Sequence, residues 1–264
     1  MGDALLHLTG LGYSPSIGKL AEREQLMYRR NLRQSLRVGL AILVVLALSA
    51  CAGGGGGQEK ANKPRSLPEV EKPLRPGTEY RTEEFKPSFS FRVGEGWSME
   101  TDPPEGADEL EITWRRGTMN LFILNEKEVY KPARTGTPAV VDAPKDVVGW
   151  FRHHPYLNTE KPEPVTVGGI KGVQLDLVVE DPPPGYHGNC TTQYNITDCV
   201  DIVPISMPML HPLAFEEGIK ERVTLLEDVK GEPLMIDFGA SEAKFGEFAP
   251  EGQKVVESMK WTGS

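Results

Sequence analysis

Met207, Met209 and His211 stand at alternate positions of the segment Met207-Pro208-Met209-Leu210-His211. In an extended chain these side chains point the same way, and two soft thioethers with an imidazole suit copper(I). Pro208 and Pro212 interrupt strand regularity, and methionine fills irregular apolar gaps, so core or loop packing is favoured over a copper carrier. His153-His154 is a poor chelate, because neighbouring residues on a helix do not face each other, whereas imidazole near a helix C-terminus interacts favourably with the dipole. Trp97, Trp114, Trp150 and Phe151 could stack on a sugar or peptidoglycan ligand, but their placement on inward faces makes core their expected role. The acidic residues Asp102, Glu105, Asp108, Glu109, Glu216 and Glu217 read most simply as solvated surface. No H-E-x-x-H, G-x-S-x-G, Walker A or EF-hand loop is present, nor a G-x-G-x-x-G between strand and helix. No cofactor is expected. A dispersed site remains open, since carboxylates distant in sequence can meet in space.

The elements that would carry such residues follow an export signal. Arg29, Arg30, Arg33 and Arg37 precede the run VGLAILVVLAL at residues 38–48. Those eleven residues are too few to span ~30 Å of hydrocarbon, which needs about 20. A positive region, a short apolar core and small residues describe a secretory signal. Leu48-Ser49-Ala50-Cys51 resembles the lipobox of bacterial lipoproteins, and five glycines follow. That resemblance implies a diacylglyceryl group on the Cys51 thiol, cleavage before Cys51, and a lipid anchor holding the protein to the extracytoplasmic side of the cell membrane. Stable anchoring takes more than one acyl chain. Met27-Tyr28-Arg29-Arg30 would give the signal a conventional start, making residues 1–26 an extension without structural consequence.

Residues 1–51 hold six Lys/Arg and three Asp/Glu, so 23 basic residues face 35 acidic ones beyond Cys51. A net charge of -12 argues against nucleic-acid partners, which need a basic footprint. Cys190 and Cys199 remain, nine positions apart in an exported chain, and their simplest reading is a disulfide closing a small loop.

The expected organisation is an N-terminal extension and signal over 1–50, a lipidated Cys51 and flexible Gly/Pro-rich tether over 51–84, and one globular domain over 85–264. Phe89, Phe91 and Val93 alternate with polar neighbours, as do Leu110, Ile112 and Trp114. Residues 119–124 form a denser apolar run. Residues 164–167 and 170–179 flank a Gly168-Gly169 hairpin turn, with Val173, Leu175, Leu177 and Val179 on one face. Residues 200–205, 222–226 and 234–238 supply further strands, the last pair turning at Lys230-Gly231. A helix is expected over 144–154, capped at Asp142 or Ala143, and a shorter one from a Ser241 cap to Phe248. Pro250 and Gly252 argue against one continuous C-terminal helix. Trp261 should close the core or pair at a sheet edge.

Strands before, between and after two helices predict an α+β fold: a mainly antiparallel sheet of about six to eight strands with two or three helices packed on it. Phe89-Ser90-Phe91-Arg92-Val93-Gly94-Glu95-Gly96-Trp97 and the terminal Glu257-Ser258-Met259-Lys260-Trp261 resemble the start and finish of Mog1/PsbP-like domains. With His153-His154-Pro155-Tyr156-Leu157, Pro164-Val165-Thr166-Val167-Gly168-Gly169 and Phe248-Ala249-Pro250, the domain also resembles uncharacterised lipoproteins of high-GC Gram-positive bacteria. The resemblance implies a fold and an address, and no activity. The expected function is therefore a monomeric, non-enzymatic envelope domain binding a small-molecule ligand or an envelope protein. The alternatives are an envelope hydrolase with a dispersed carboxylate site, or the copper(I) carrier. The first predicts an apolar concavity, the hydrolase a cleft where carboxylates converge.

Overall fold

The computed structural model describes residues 63–101, 109–115, 117–182, 185–186, 188, 198–205 and 212–262. Cys51, Cys190, Met207, Met209 and His211 lie outside them, as do Asp102, Glu105 and Asp108. The described residues belong to one compact unit, Glu59–Ser264.

The main sheet has eight strands. β10 (Leu157–Thr159), β12 (Ile170–Val179), β16 (Ile219–Val229), β17 (Glu232–Ser241), β6 (Met119–Asn125), β5 (Glu109–Trp114) and β4 (Trp97–Met99) lie side by side in that order, and β11 (Glu163–Val167) also pairs with β12. These pairings are antiparallel. β1 (Arg65–Ser66), β2 (Glu79–Arg81), β3 (Phe89–Arg92) and β18 (Lys260–Trp261) form a second sheet. Three ribbons complete the strands: β7 (Glu128–Tyr130) with β9 (Val140–Asp142), β8 (Thr135–Gly136) with β13 (Gly185–Tyr186), and β14 (Cys199–Val203) with β15 (Leu213–Glu216). The α+β class holds, with more strands than expected and two helices among the described residues, α1 (Val147–Arg152) and α2 (Glu242–Ser258).

Strand alternation sends side chains to two faces of the main sheet. On one, Leu110, Ile112, Leu121, Ile123, Ile236 and Phe238 meet α2, which buries Phe245, Phe248, Ala249, Gly252, Val255 and Val256. Those α2 positions recur at three- and four-residue intervals, the stripe that a helix lays on a sheet. On the other face, Leu175, Leu177, Val179, Val223, Leu225 and Met235 pack with Phe151 of α1 and with Val200, Ile202, Leu213 and Phe215 of the β14–β15 ribbon.

The C-terminal helix is continuous through Pro250, against expectation. Proline forfeits a helix hydrogen bond and crowds the preceding turn, at a cost of ~3 kcal/mol; the apolar stripe on either side offsets it. Gly252 serves the packing, since a Cβ there would come within 2.9 Å of the Phe238 ring. Ser241 is the N-cap residue but makes no side-chain cap hydrogen bond. α1 starts later than expected: Asp146 is its cap, the carboxylate accepting from Gly149 N–H at 2.7 Å. The fold also begins before residue 85. Leu74, Tyr80 and Thr82 are buried, and Tyr80 stands opposite Phe91. Trp261 does both things expected of it, pairing with Phe89 across β18 and β3 and donating from Nε1 to the Val167 carbonyl at 2.9 Å.

Candidate functional site

β5 is buried at every position. Leu110, Ile112 and Trp114 reach the α2 side, so Glu109, Glu111 and Thr113 must point to the opposite face. Register extends this parity across the sheet. Glu111 stands opposite Phe122, Phe122 opposite Asp237, and Asp237 opposite Val223. The next row runs Thr113, Asn120, Gly239, Glu221, and the row on the other side Glu109, Leu124, Met235, Leu225. This face is thus divided: apolar towards β12 and β10, and carboxylate-bearing over β5, β17 and the start of β16, with Asn120 and Phe122 of β6 between them.

A cleft of about 440 Å³ opens over the polar half. Its floor carries Glu109, Glu111, Glu221 and Asp237, with Asn120 and Phe122 between them, and its far wall is built by Ile205, Pro212, Leu213, Ala214 and Glu216. That volume is within the range of small-molecule sites. Gly239 shapes the floor, because the Glu221 carboxylate lies where a Cβ on Gly239 would be. Thr113 donates to Asn120 Oδ1 at 2.9 Å, holding that amide in place.

The carboxylates are poorly compensated. Glu109 is 3% exposed and Asp237 2% exposed, and neither Glu109 Oε2 nor Asp237 Oδ1 has a hydrogen-bond partner. Burial pushes Glu109 up to about 7. Burial, with the charges of Glu100 and Glu109, pushes Glu111 up to about 8. Glu221 reaches about 8 through burial and the Glu216 charge. Burial and the Glu221 charge raise Asp237 well above the ordinary aspartate range. Groups of this kind serve as proton donors near neutrality, or wait for a ligand that supplies the missing donors. No group of three or more His, Cys, Asp or Glu among the described residues is placed to hold a metal ion.

Reading Glu109 as solvated surface is therefore corrected: the pleat that turns Leu110 into one core turns Glu109 into the cleft. Glu216 lines the same cleft at its rim, while Glu217 is exposed. Glu111, Glu221 and Asp237 belong to no motif, and sequence reasoning missed them. A signal does exist, since acidic residues are disfavoured in strands and here interrupt runs that otherwise read as central. Met207, Met209 and His211 cannot be placed among these groups, although their described neighbours Ile205 and Pro212 both line the cleft. Cys199 is buried in β14, and its expected partner Cys190 is outside the described residues.

The His pair is separated as the helix argument requires. His153 Nδ1 lies 2.6 Å from the Gly149 carbonyl oxygen. His154 is buried between Trp150 and Tyr156, accepts from Tyr156 N–H through Nδ1, and is driven down to about 4 by burial. Trp97, Trp114 and Phe151 are buried and Trp150 partly so, which leaves no aromatic platform at the cleft except Phe122 among the described residues. No described helix is long and apolar enough to cross a membrane.

No protein-family model matches the chain, and no curated protein matches it. Among solved structures it is similar to cyanobacterial PsbP (CyanoP) from Synechocystis sp. PCC 6803, at 11% identity, covering 81% of this chain and 99% of that one, with a TM-score of 0.37. It is also similar to LpqN of Mycobacterium tuberculosis, a protein involved in cell envelope biogenesis, at 12% identity, covering 73% of this chain and 90% of that one, with a TM-score of 0.30. TM-scores below 0.5 assign neither a fold family nor an activity.

Proposed function

We propose that this protein is a lipid-anchored, extracytoplasmic envelope domain that binds a small ligand in the carboxylate cleft. The address comes from the residues before and at Cys51: the arginines, the short apolar run and the lipobox-like Leu-Ser-Ala-Cys. The binding reading is carried by one observation. Glu109, Glu111, Glu221 and Asp237 converge beneath the β14–β15 ribbon, with Glu109 Oε2 and Asp237 Oδ1 buried and unpartnered. A fold does not retain such groups for stability, because leaving a buried polar atom unsatisfied costs about 1–3 kcal/mol. The test is a ligand-detected NMR screen of small polar molecules against the mature domain. Hits should be lost in Thr118→Trp, which fills the exposed rim of the cleft. Hits that persist unchanged in that variant would overturn the reading.

The same convergence supports a second reading, an envelope hydrolase. Glu109 and Glu111 share one face two residues apart, roughly 6.6 Å along an extended strand. Burial pushes Glu111 up to about 8, so it holds its proton at neutral pH, while Glu109, at about 7, is partly ionised there. One carboxyl of such a pair can protonate a leaving oxygen while the other, ionised, activates water. Turnover of a panel of aryl glycosides and esters, abolished by Glu111→Gln, would favour it over binding alone. Absence of turnover across the panel would remove it.

A further inference from the structure

Glu221 lies between Lys220 and Arg222 on β16, yet strand alternation separates their charges. Lys220 and Arg222 project to the opposite face, where Arg222 Nε donates to Asp176 Oδ1 at 2.7 Å and Lys220 pairs with Glu160 and Asp176. Both local cations are thereby consumed away from the cleft. Among the described lining residues there are five carboxylates and no Lys, Arg or His. Among the described residues the site is short of positive charge, and the cations adjacent on β16 cannot turn through the sheet to supply it.

The lining is also not uniformly polar. Phe122 stands between Glu111 and Asp237 across the strands, and Ile205, Leu213 and Ile219 complete an apolar wall. The Glu221 carboxylate, seated over Gly239, lies one row from Asp237 Oδ1. An ammonium offers three donors and a compact charge, enough to engage both carboxylates, which have no cation among the described lining residues.

Resting on the reading of the cleft as a ligand site, we infer that its ligand carries a protonated amine on an apolar body. The ammonium sits between Glu221 and Asp237, and the apolar part lies against Phe122 and the ribbon wall.

The test titrates the mature domain with n-octylammonium, 1-octanol and n-octanoate, which share a chain and differ in head group, following backbone amide shifts by NMR. Octylammonium is expected to shift the amides of residues 120–122, 237–240 and 213–214. The alcohol and the carboxylate should bind at least about tenfold more weakly. Asp237→Asn and Glu221→Gln should each weaken octylammonium by about tenfold or more, with circular dichroism confirming that the variants fold. If octanol or octanoate binds the cleft as tightly, the amine class is overturned while the ligand site stands. If octylammonium shifts only surface amides and neither variant affects it, attraction to an acidic surface explains the result and the inference fails. If no probe perturbs the cleft, the inference and the underlying reading both fail.

Discussion

The Glu221 carboxylate fills the space that a side chain on Gly239 would need, and the two residues face each other in the register of β16 and β17. One strand supplies a long acidic side chain, and its neighbour supplies the only residue type that lets that side chain lie flat. The contact places the carboxylate beside Asp237, whose position two residues before Gly239 points it to the same face. Gly239→Ala is expected to cost about 1 kcal/mol, since overpacking must displace the end of a flexible chain. In a Glu221→Ala background the same change should be nearly neutral. A double-mutant cycle in urea measures the difference; additive effects would show that the two residues are not coupled.

The buried carboxyls make stability depend on pH with a definite sign. In the folded protein Glu109, Glu111 and Glu221 hold protons up to about 7, about 8 and about 8. The unfolded chain releases them near the ordinary value of 4.5. Stability is therefore fullest below that value and falls as pH rises towards 8. Asp237 acts in the same direction, as does Glu126, pushed to about 8 by burial. His154 acts oppositely, because the unfolded chain takes up a proton near 6.5 and the folded one only near 4. Several carboxyls outweigh one imidazole. Urea denaturation should thus give lower stability at about pH 8.5 than at about pH 5.5, each tenfold difference in proton affinity being worth roughly 1.4 kcal/mol. Asp237→Asn should flatten the profile and stabilise the protein at the alkaline end. A wild-type profile that rises with pH would contradict the placement of these groups.

Gly252 tests the packing of α2. Alanine raises helix propensity by about 1 kcal/mol over glycine in a helix interior. At this position its Cβ would come within 2.9 Å of the Phe238 ring. A fully buried ring in a filled core has little room to withdraw, and overpacking costs about 1–3 kcal/mol. Gly252→Ala is expected to lower the thermal midpoint despite the gain in propensity. A stabilised variant would mean that Phe238 yields freely.

Much of this fold was legible, because the chain announces its strands by parity. The alternation of Leu110, Ile112 and Trp114, the Gly168-Gly169 turn and the face shared by Leu175, Leu177 and Val179 all follow from period-two patterning, and the structure has them. Pro250 misled for a physical reason: helix propensity is local, whereas the stripe from Phe245 to Val256 takes its stability from the sheet beneath it. The site was harder. Alternation says that Glu109 and Glu111 share a face but not that the β14–β15 ribbon covers it. Nor does it say that β17 aligns Asp237 with Phe122 and Glu111. Those relations are set by strand order, and strand order joins residues more than a hundred positions apart.

The proposed anchor and disulfide have their own outcomes. Cys51→Ser is expected to move the protein from the membrane fraction to the soluble one, and continued fractionation with membranes would refute lipidation at that thiol. A Cys190–Cys199 bridge should appear as a loss of two hydrogens in the intact mass without reductant. Breaking it with Cys190→Ser should cost about 2–3 kcal/mol on the chain-entropy view. Reduced copper should titrate weakly, and equally, into the wild type and a Met207→Leu/Met209→Leu variant.

Central to all of this is a ligand held by the carboxylate cleft in the envelope. Native mass spectrometry of the mature protein, extracted from membranes in mild detergent, detects such a molecule whatever its identity. The expected result is a bound small molecule on the wild type that is missing from both Thr118→Trp and Asp237→Asn. Masses matching the bare polypeptide, or an adduct retained equally by all three proteins, would contradict it.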